Sequence, residues 1–291
     1  MSSHFSSLVN EYISKEAPFI GASADYIAAE KVIIGAPMDW TVSFRPGSRF
    51  GPNSIRDVSP GLELYSPYLD KSLADIAYYD AGNLELPFGN AATSLELIKK
   101  AVTAILADGK KPYLLGGEHL VSWPAIAATH AMYPNLVLLH FDAHTDLRES
   151  YHGETLSHAS VIRRACELEP AIDIYQFGIR SGEKEEFAFA AQRTKLFPFE
   201  VYEPLHSVLS QIKDAPIYLT LDIDVADPAF APGTGTPEPG GVSSSELLQA
   251  IHLLQGTNLV GVDIVEIAPD YDLSRRTPFL GAKLLRELLL L

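Results

Sequence analysis

The sequence predicts an α/β fold in which a mostly parallel, doubly wound sheet carries helices on both faces. Three observations lead there. Short apolar runs alternate with longer segments of helical pattern, the order of repeated βα units. The runs are apolar nearly throughout, as strands buried on both faces are. No stretch has the composition of a linker, and 291 residues suffice for one large core. We expect one domain over 1–291, with 1–30 as an N-terminal extension packed on it.

Residues 31–35 (Lys-Val-Ile-Ile-Gly) form the first expected strand. Thr93-Ser-Leu-Glu96 has the form of a capping box and opens a helix that runs to about Gly109. Tyr113-Leu-Leu115 is a strand ending in Gly116-Gly117, and a helix follows from Val121 to about Met132. Residues 136–141 are a strand, followed by a helix near 159–167. Residues 172–177 and 216–221 are further strands. Ser243-Ser-Ser-Glu246 is a second capping box, starting a helix to about Leu254, and 259–262 is a late strand. The end, 283–291, is apolar all round, which suits one face for the fold's own core and the remainder for a second subunit.

In open α/β sheets, ligands bind beyond the carboxyl ends of the strands. Polar residues sit there each time: Glu118 and His119, then Asp142, His144 and Asp146, then Asp222 and Asp224, then Asp263 and Glu266. Along extended backbone, residues two apart point the same way, so Asp142 and His144 project together and Asp146 continues the phase. Any one of these aspartates alone reads as a cap or turn residue. Together they repel one another and lose hydration on burial, and a cation removes both costs. Carboxylates with one or two imidazoles suit Mn(II) before Zn(II). Gly116-Gly117 permits a tight turn that aims His119 inward.

Composition narrows the partners. A formal net charge of −15 argues against nucleic acid and anionic membranes and favours a cationic small molecule. No apolar run approaches membrane-spanning length, and the start shows no signal peptide. The single cysteine, Cys166, has no partner for an intrachain disulfide and no catalytic pattern around it. A cytoplasmic protein is expected.

Gly116-Gly-Glu-His119, Asp142-Ala-His-Thr-Asp146, Asp222-Ile-Asp224 and Glu266 resemble, in order and spacing, the ureohydrolases, the family of arginases and agmatinases. The segment 37–52 and the loop 231–236 look like its agmatinase branch. The resemblance runs from about residue 31 to the C-terminus. It implies an arginase-like three-layer αβα fold, two Mn(II) ions per subunit, and a homotrimer or homohexamer. His119, Asp142, Asp146 and Asp222 would hold one ion, and Asp142, His144, Asp222 and Asp224 the other, with Asp142 and Asp222 bridging.

The expected chemistry follows from charge. Four aspartates balance two divalent ions, and Glu266 then makes the site net negative, which suits a guanidinium and disfavours a phosphate ester. Metal binding lowers the pKa of water from 15.7 to about 7. A hydroxide bridging the ions would attack the guanidinium carbon, with Asp146 orienting it, and the departing amine would need a proton. Two histidines compete for that transfer. His158, in Leu156-Ser-His-Ala, matches the family position, whereas His152, before Gly153, reads as an exposed loop residue. Glu266 would pair with the substrate guanidinium by resemblance; its alternative is a strand-end carboxylate neutralised by an arginine. His140 reads as a core histidine with a satisfied ring, and His130, His206 and His252 as ordinary helix or surface residues. Asp227, before Pro228, reads as a turn cap.

The expected reaction is agmatine to putrescine and urea. Arginases similar to this chain bind the α-carboxylate of arginine with a Ser/Asn-rich loop, and the corresponding stretch 147–157 has no asparagine. Glu149 and Glu154 are candidates to attract a distal ammonium. Arg148 suits a carboxylate instead, which keeps guanidinobutyrate or another ω-guanidino acid as runner-up, ahead of arginine. Two other classes fit less well. A non-catalytic scaffolding homologue would have lost His158 or a bridging aspartate, and a metal-dependent deacetylase would want fewer carboxylates.

Overall fold

The computed structural model describes residues 4–5, 11–22, 25–212 and 214–291. The strands are β1 Ile13–Ser14, β2 Lys31–Ala36, β3 Tyr65–Ser66, β4 Lys71–Ser72, β5 Tyr78–Leu84, β6 Lys111–Gly116, β7 Val137–Phe141, β8 Asp173–Ile179, β9 Lys195–Pro198, β10 Ile217–Asp222 and β11 Leu259–Val265. β3 and β4 form a separate two-stranded ribbon. The other nine make one sheet in the order β1-β5-β2-β6-β11-β10-β7-β8-β9. All its pairings are parallel except that of β1 with β5. Part of the expected extension over 1–30, namely residues 1–3, 6–10 and 23–24, lies outside the described residues.

Successive side chains of the buried strands feed two cores. Ile33, Leu115, Leu139, Phe177 and Leu219 face one, while Val32, Ile34, Leu114, Leu138 and Ile174 face the other. Helices Ala91–Ala107, Ser122–Met132 and Val161–Ala165 pack over the second core. Helices Gly51–Val58, Tyr202–Ile212, Ser244–Leu253 and Arg276–Leu290 cover the first. The result is the three-layer αβα arrangement.

Several expected boundaries move. The helix expected to open at Thr93 begins three residues earlier, because Asn90 is its cap and its side chain accepts the Thr93 N–H at 3.1 Å. Ser243 does cap its helix, but Glu246 turns away to accept a bond from the Val201 N–H. The late strand runs on to Val265, so Asp263 lies inside it and not at its end. Helix Gly51–Val58 was not expected, since Gly51-Pro52 resembles a break; proline is tolerated in a first turn, where its missing N–H has no partner to lose.

The apolar C-terminus is also corrected. Leu284, Leu285, Leu288, Leu289 and Leu290 are all buried within the chain's own fold, between the helices Gly51–Val58 and Ser244–Leu253. Lys31 and Lys71 donate to the carbonyls of Leu289 and Leu290 and so satisfy the helix end. Only Lys283 and Leu291 of this segment keep partial exposure.

Candidate metal centre

The four central strands β6, β11, β10 and β7 are neighbours in the sheet, and each delivers site residues just beyond its carboxyl end. β6 leads to His119, β7 to Asp142, β10 ends on Asp222, and β11 leads to Glu266. Gly117 serves this delivery by close approach: a Cβ there would stand 1.9 Å from the Met38 carbonyl oxygen. Asp146 and Glu266 hold φ values of 52° and 64°, a left-handed conformation that costs non-glycine residues energy and clusters at functional sites.

Two groups of donors result, sharing Asp142: His119, His140, Asp142 and Asp146 make one, Asp142, His144 and Asp224 the other, and Asp222 adjoins the first. In the first, His119 Nδ1 lies 3.0 Å from Asp142 Oδ2, 3.1 Å from Asp146 Oδ2 and 3.4 Å from Asp222 Oδ2. In the second, His144 Nδ1 lies 3.4 Å from Asp142 Oδ1 and 3.0 Å from Asp224 Oδ2. Asp222 and Asp224 are tied together, since Asp222 Oδ1 accepts the Asp224 N–H at 2.8 Å. All six expected ligands therefore converge. His119 Nδ1 and Asp146 Oδ2 are buried and make no hydrogen bond, despite their proximity. Buried polar atoms without partners are costly, and two such donors aimed at one point fit a divalent cation. Charge agrees: burial, and then repulsion from Asp224 and Asp142, push the Asp222 carboxyl well above its usual range.

Beneath the ligands runs a row that sequence reading missed. Asp263, Thr220, His140 and Gln176 stand at one register across β11, β10, β7 and β8, and all are fully buried. Asp263 accepts from Tyr218 at 2.9 Å and from the Thr220 hydroxyl at 2.6 Å. With its one hydrogen spent there, Thr220 Oγ1 accepts from His119 Nε2–H at 2.9 Å, leaving the Nδ1 lone pair for a metal. Gln176 Oε1 accepts from Thr194, so its amide nitrogen donates to His140 Nδ1 at 3.1 Å. His140 Nε2–H then donates to Asp142 Oδ2 at 2.8 Å. His140 is thus a core histidine with both ring nitrogens satisfied, and one partner is a ligand. Thr220→Val should weaken manganese binding about 10- to 100-fold, the usual cost of losing such a support. Calorimetric titration measures it, and an unchanged affinity would refute the tautomer argument.

His119, His144, Asp146 and Asp222 floor a cavity of about 260 Å³ that His158, Glu266, Thr236 and Ser43 also line. His158 lies against Thr41 and Ser43: its N–H donates to Thr41 Oγ1 at 3.0 Å, and its Nε2 is 3.3 Å from Ser43 Oγ. Thr41 is itself held by the buried Glu118, which accepts its N–H and hydroxyl. Burial lowers the His158 ring below its usual value, with Asp146 opposing, which favours the neutral ring. Glu266 Oε1 accepts the His119 N–H at 2.8 Å, and burial pushes its carboxyl up to about 8, a shift that a cation bound beside it opposes. No arginine pairs with it among the described ion pairs.

Other expectations fall outside the cavity. His152 is exposed and absent from its lining, as are Glu149 and Glu154; the acidic residues actually on the wall are Glu183 and Glu186. Asp227 caps a turn, accepting from Ala229 and Gly240 N–H. His130 is buried, and His252 is bonded to Glu287 at 3.0 Å. Thr220 and His140 had one visible sign, a polar residue two positions before a ligand in an apolar strand. Thr41 and Ser43 were marked only by lying in the segment 37–52, and Glu183 and Glu186 by nothing.

Comparison with known proteins agrees with this geometry. The family model described as "Arginase family" matches residues 29–291. An agmatinase of Halalkalibacterium halodurans is 54% identical over 275 residues, covering 94% of this chain and 95% of that protein. A guanidinobutyrase of Pseudomonas aeruginosa is 33% identical, covering 94% of this chain and 89% of its own length. The crystal structure of the agmatine ureohydrolase of Thermoplasma volcanium superposes with a TM-score of 0.86 at 32% identity, covering 98% of this chain and 96% of that one. Its donor set and these whole-length similarities lead to one conclusion: the chain belongs to the arginase family.

Proposed function

We propose that the chain hydrolyses agmatine to putrescine and urea with two Mn(II) ions per subunit. The observation that carries this is the pair of donor groups sharing Asp142 at the buried end of an acidic cavity. His119, Asp142, Asp146 and Asp222 would hold one ion and Asp142, His144, Asp222 and Asp224 the other. When bound, the ions supply a nucleophilic water at neutral pH, by lowering its pKa from 15.7 to about 7. The side chains do the rest. Glu266 offers two oxygens to the guanidinium N–H groups and fixes its carbon over the centre. Asp146, with Oδ2 turned to the metal position, would orient the attacking water through its second oxygen. His158, steadied by Thr41 and Ser43, carries the proton that the departing amine takes as its C–N bond breaks.

Similarity to an agmatinase at 54% identity supports agmatine, and the carboxylates Glu183, Glu186 and Glu266 suit a doubly charged cation. A guanidinobutyrase activity is the second reading, favoured by Arg148 on the same wall. Arginase activity ranks below both. Urea release from the three substrates with manganese present decides among them. Agmatine should lead, with arginine at least about a hundredfold poorer in kcat/KM, about 2.7 kcal/mol of discrimination. Comparable values for arginine would sink the reading.

Residues 1–291 are taken as one ureohydrolase unit, with 1–30 as its extension; pairing of β1 with β5 supports this. Assembly into trimers or hexamers now rests on family resemblance alone, and light scattering that finds a monomer would remove it. A cytoplasmic location accords with the lone buried Cys166. Among the described residues no helix is long and apolar enough to cross a membrane.

A further inference from the structure

The cavity has a buried floor and an open wall. Side-chain exposure is 2% at His119 and 4% at Asp222, but 33% at Arg148 and 62% at Glu183. A linear substrate whose guanidinium reacts at the floor therefore ends its tail at this wall. Among the described residues Arg148 is the one arginine or lysine lining the cavity, and it is already engaged. Its Nη2 donates to Glu183 Oε1 at 3.1 Å, its Nε is 3.6 Å from Glu186 Oε2, and its guanidinium lies 5.0 Å from the Tyr151 ring centre. Glu186 is fixed in turn, accepting from the Thr145 hydroxyl, the Leu147 N–H and the Glu183 N–H. Two carboxylates thus face one guanidinium.

We propose that Glu183 sets selectivity for the substrate's tail, by withholding Arg148 from a tail carboxylate and leaving one negative charge in surplus at the mouth. The inference rests on the cavity being a guanidino-substrate site. A tail ammonium meets that surplus charge. A tail carboxylate must take Arg148 from Glu183 and bring a third negative group beside the buried Glu186, whose repulsion is less screened than that of the exposed Glu183. Selection against the acid thus comes from a repulsive element as much as from attraction to the amine.

The test compares kcat/KM for agmatine and guanidinobutyrate in the manganese-loaded wild type, Glu183→Gln and Arg148→Gln. Glutamine keeps the shape of Glu183 and an oxygen that can still accept the Glu186 N–H, its capping bond to the helix Lys184–Arg193. The agmatine-to-guanidinobutyrate ratio should fall at least about tenfold in Glu183→Gln, about 1.4 kcal/mol, chiefly through KM. It should hold or rise in Arg148→Gln, which removes the only group able to bind the acid. A purely structural role would depress both substrates alike and leave the ratio where it was. If the wild type prefers agmatine and Glu183→Gln leaves the ratio unmoved, this inference fails while the agmatine reading stands. A wild type preferring guanidinobutyrate overturns the agmatine reading and this inference with it.

Discussion

Asp142→Ala should abolish manganese binding and urea release together. Asp142 is fully buried, and its two oxygens serve both donor groups: Oδ2 lies 3.0 Å from His119 Nδ1, and Oδ1 lies 3.4 Å from His144 Nδ1. On the proposed ligand sets, removing it would take a ligand from each ion at once, and it leaves His140 Nε2 without its acceptor. Metal analysis should fall from two ions per chain to nearly none, and urea release to background. Asp222→Ala should behave alike, because the bridging reading gives it the same double duty. The outcome that sinks the bridging assignment is loss of one ion only in either variant. A thermal melt run in chelator separates this from misfolding: a variant that melts like the metal-free wild type has lost the site and kept the fold.

His158→Ala should retain both ions yet lose roughly 10²- to 10⁴-fold in turnover, the range typical of general acid–base catalysis. The ring lines the cavity beside the ligands but touches Thr41 and Ser43 and no carboxylate of the donor groups, so its removal spares the metals. His152→Ala should be far milder, since that side chain is exposed and lies off the cavity. Single-turnover kinetics with metal analysis of both variants provides the check. The reverse ranking would move the proton-transfer role to His152.

The elements that sequence reading found share a property: each declares itself locally. The strands β2, β6, β7, β8, β10 and β11 are apolar but for isolated polar positions, as burial on both faces favours. Those it missed, such as β9 with two exposed ends and the helices Lys184–Arg193 and Tyr202–Ile212, owe their form to packing at the margin of the sheet. The cap at Asn90 and the extension of β11 past Asp263 were displaced for a similar reason. Two local solutions were open, and tertiary contacts chose between them.

By itself the sequence determined the fold class and singled out the candidate ligands, because both follow from short-range order. A βα alternation makes a parallel sheet, and carboxylates at strand ends must converge on one edge wherever the order of the strands brings those ends together. It could not say which strands are neighbours. Only the tertiary structure set β6, β11, β10 and β7 side by side, with Asp263, Thr220, His140 and Gln176 in register beneath the metal ligands. It likewise decided the fate of charges that look alike on paper. Glu149 and Glu154 went to solvent, Glu183 and Glu186 took the cavity wall, and Arg148 was tied to that wall. The reason is physical: a hydrogen bond or an ion pair depends on positions across the sheet, and residues 18 to 147 apart in the chain acquire those only when it folds.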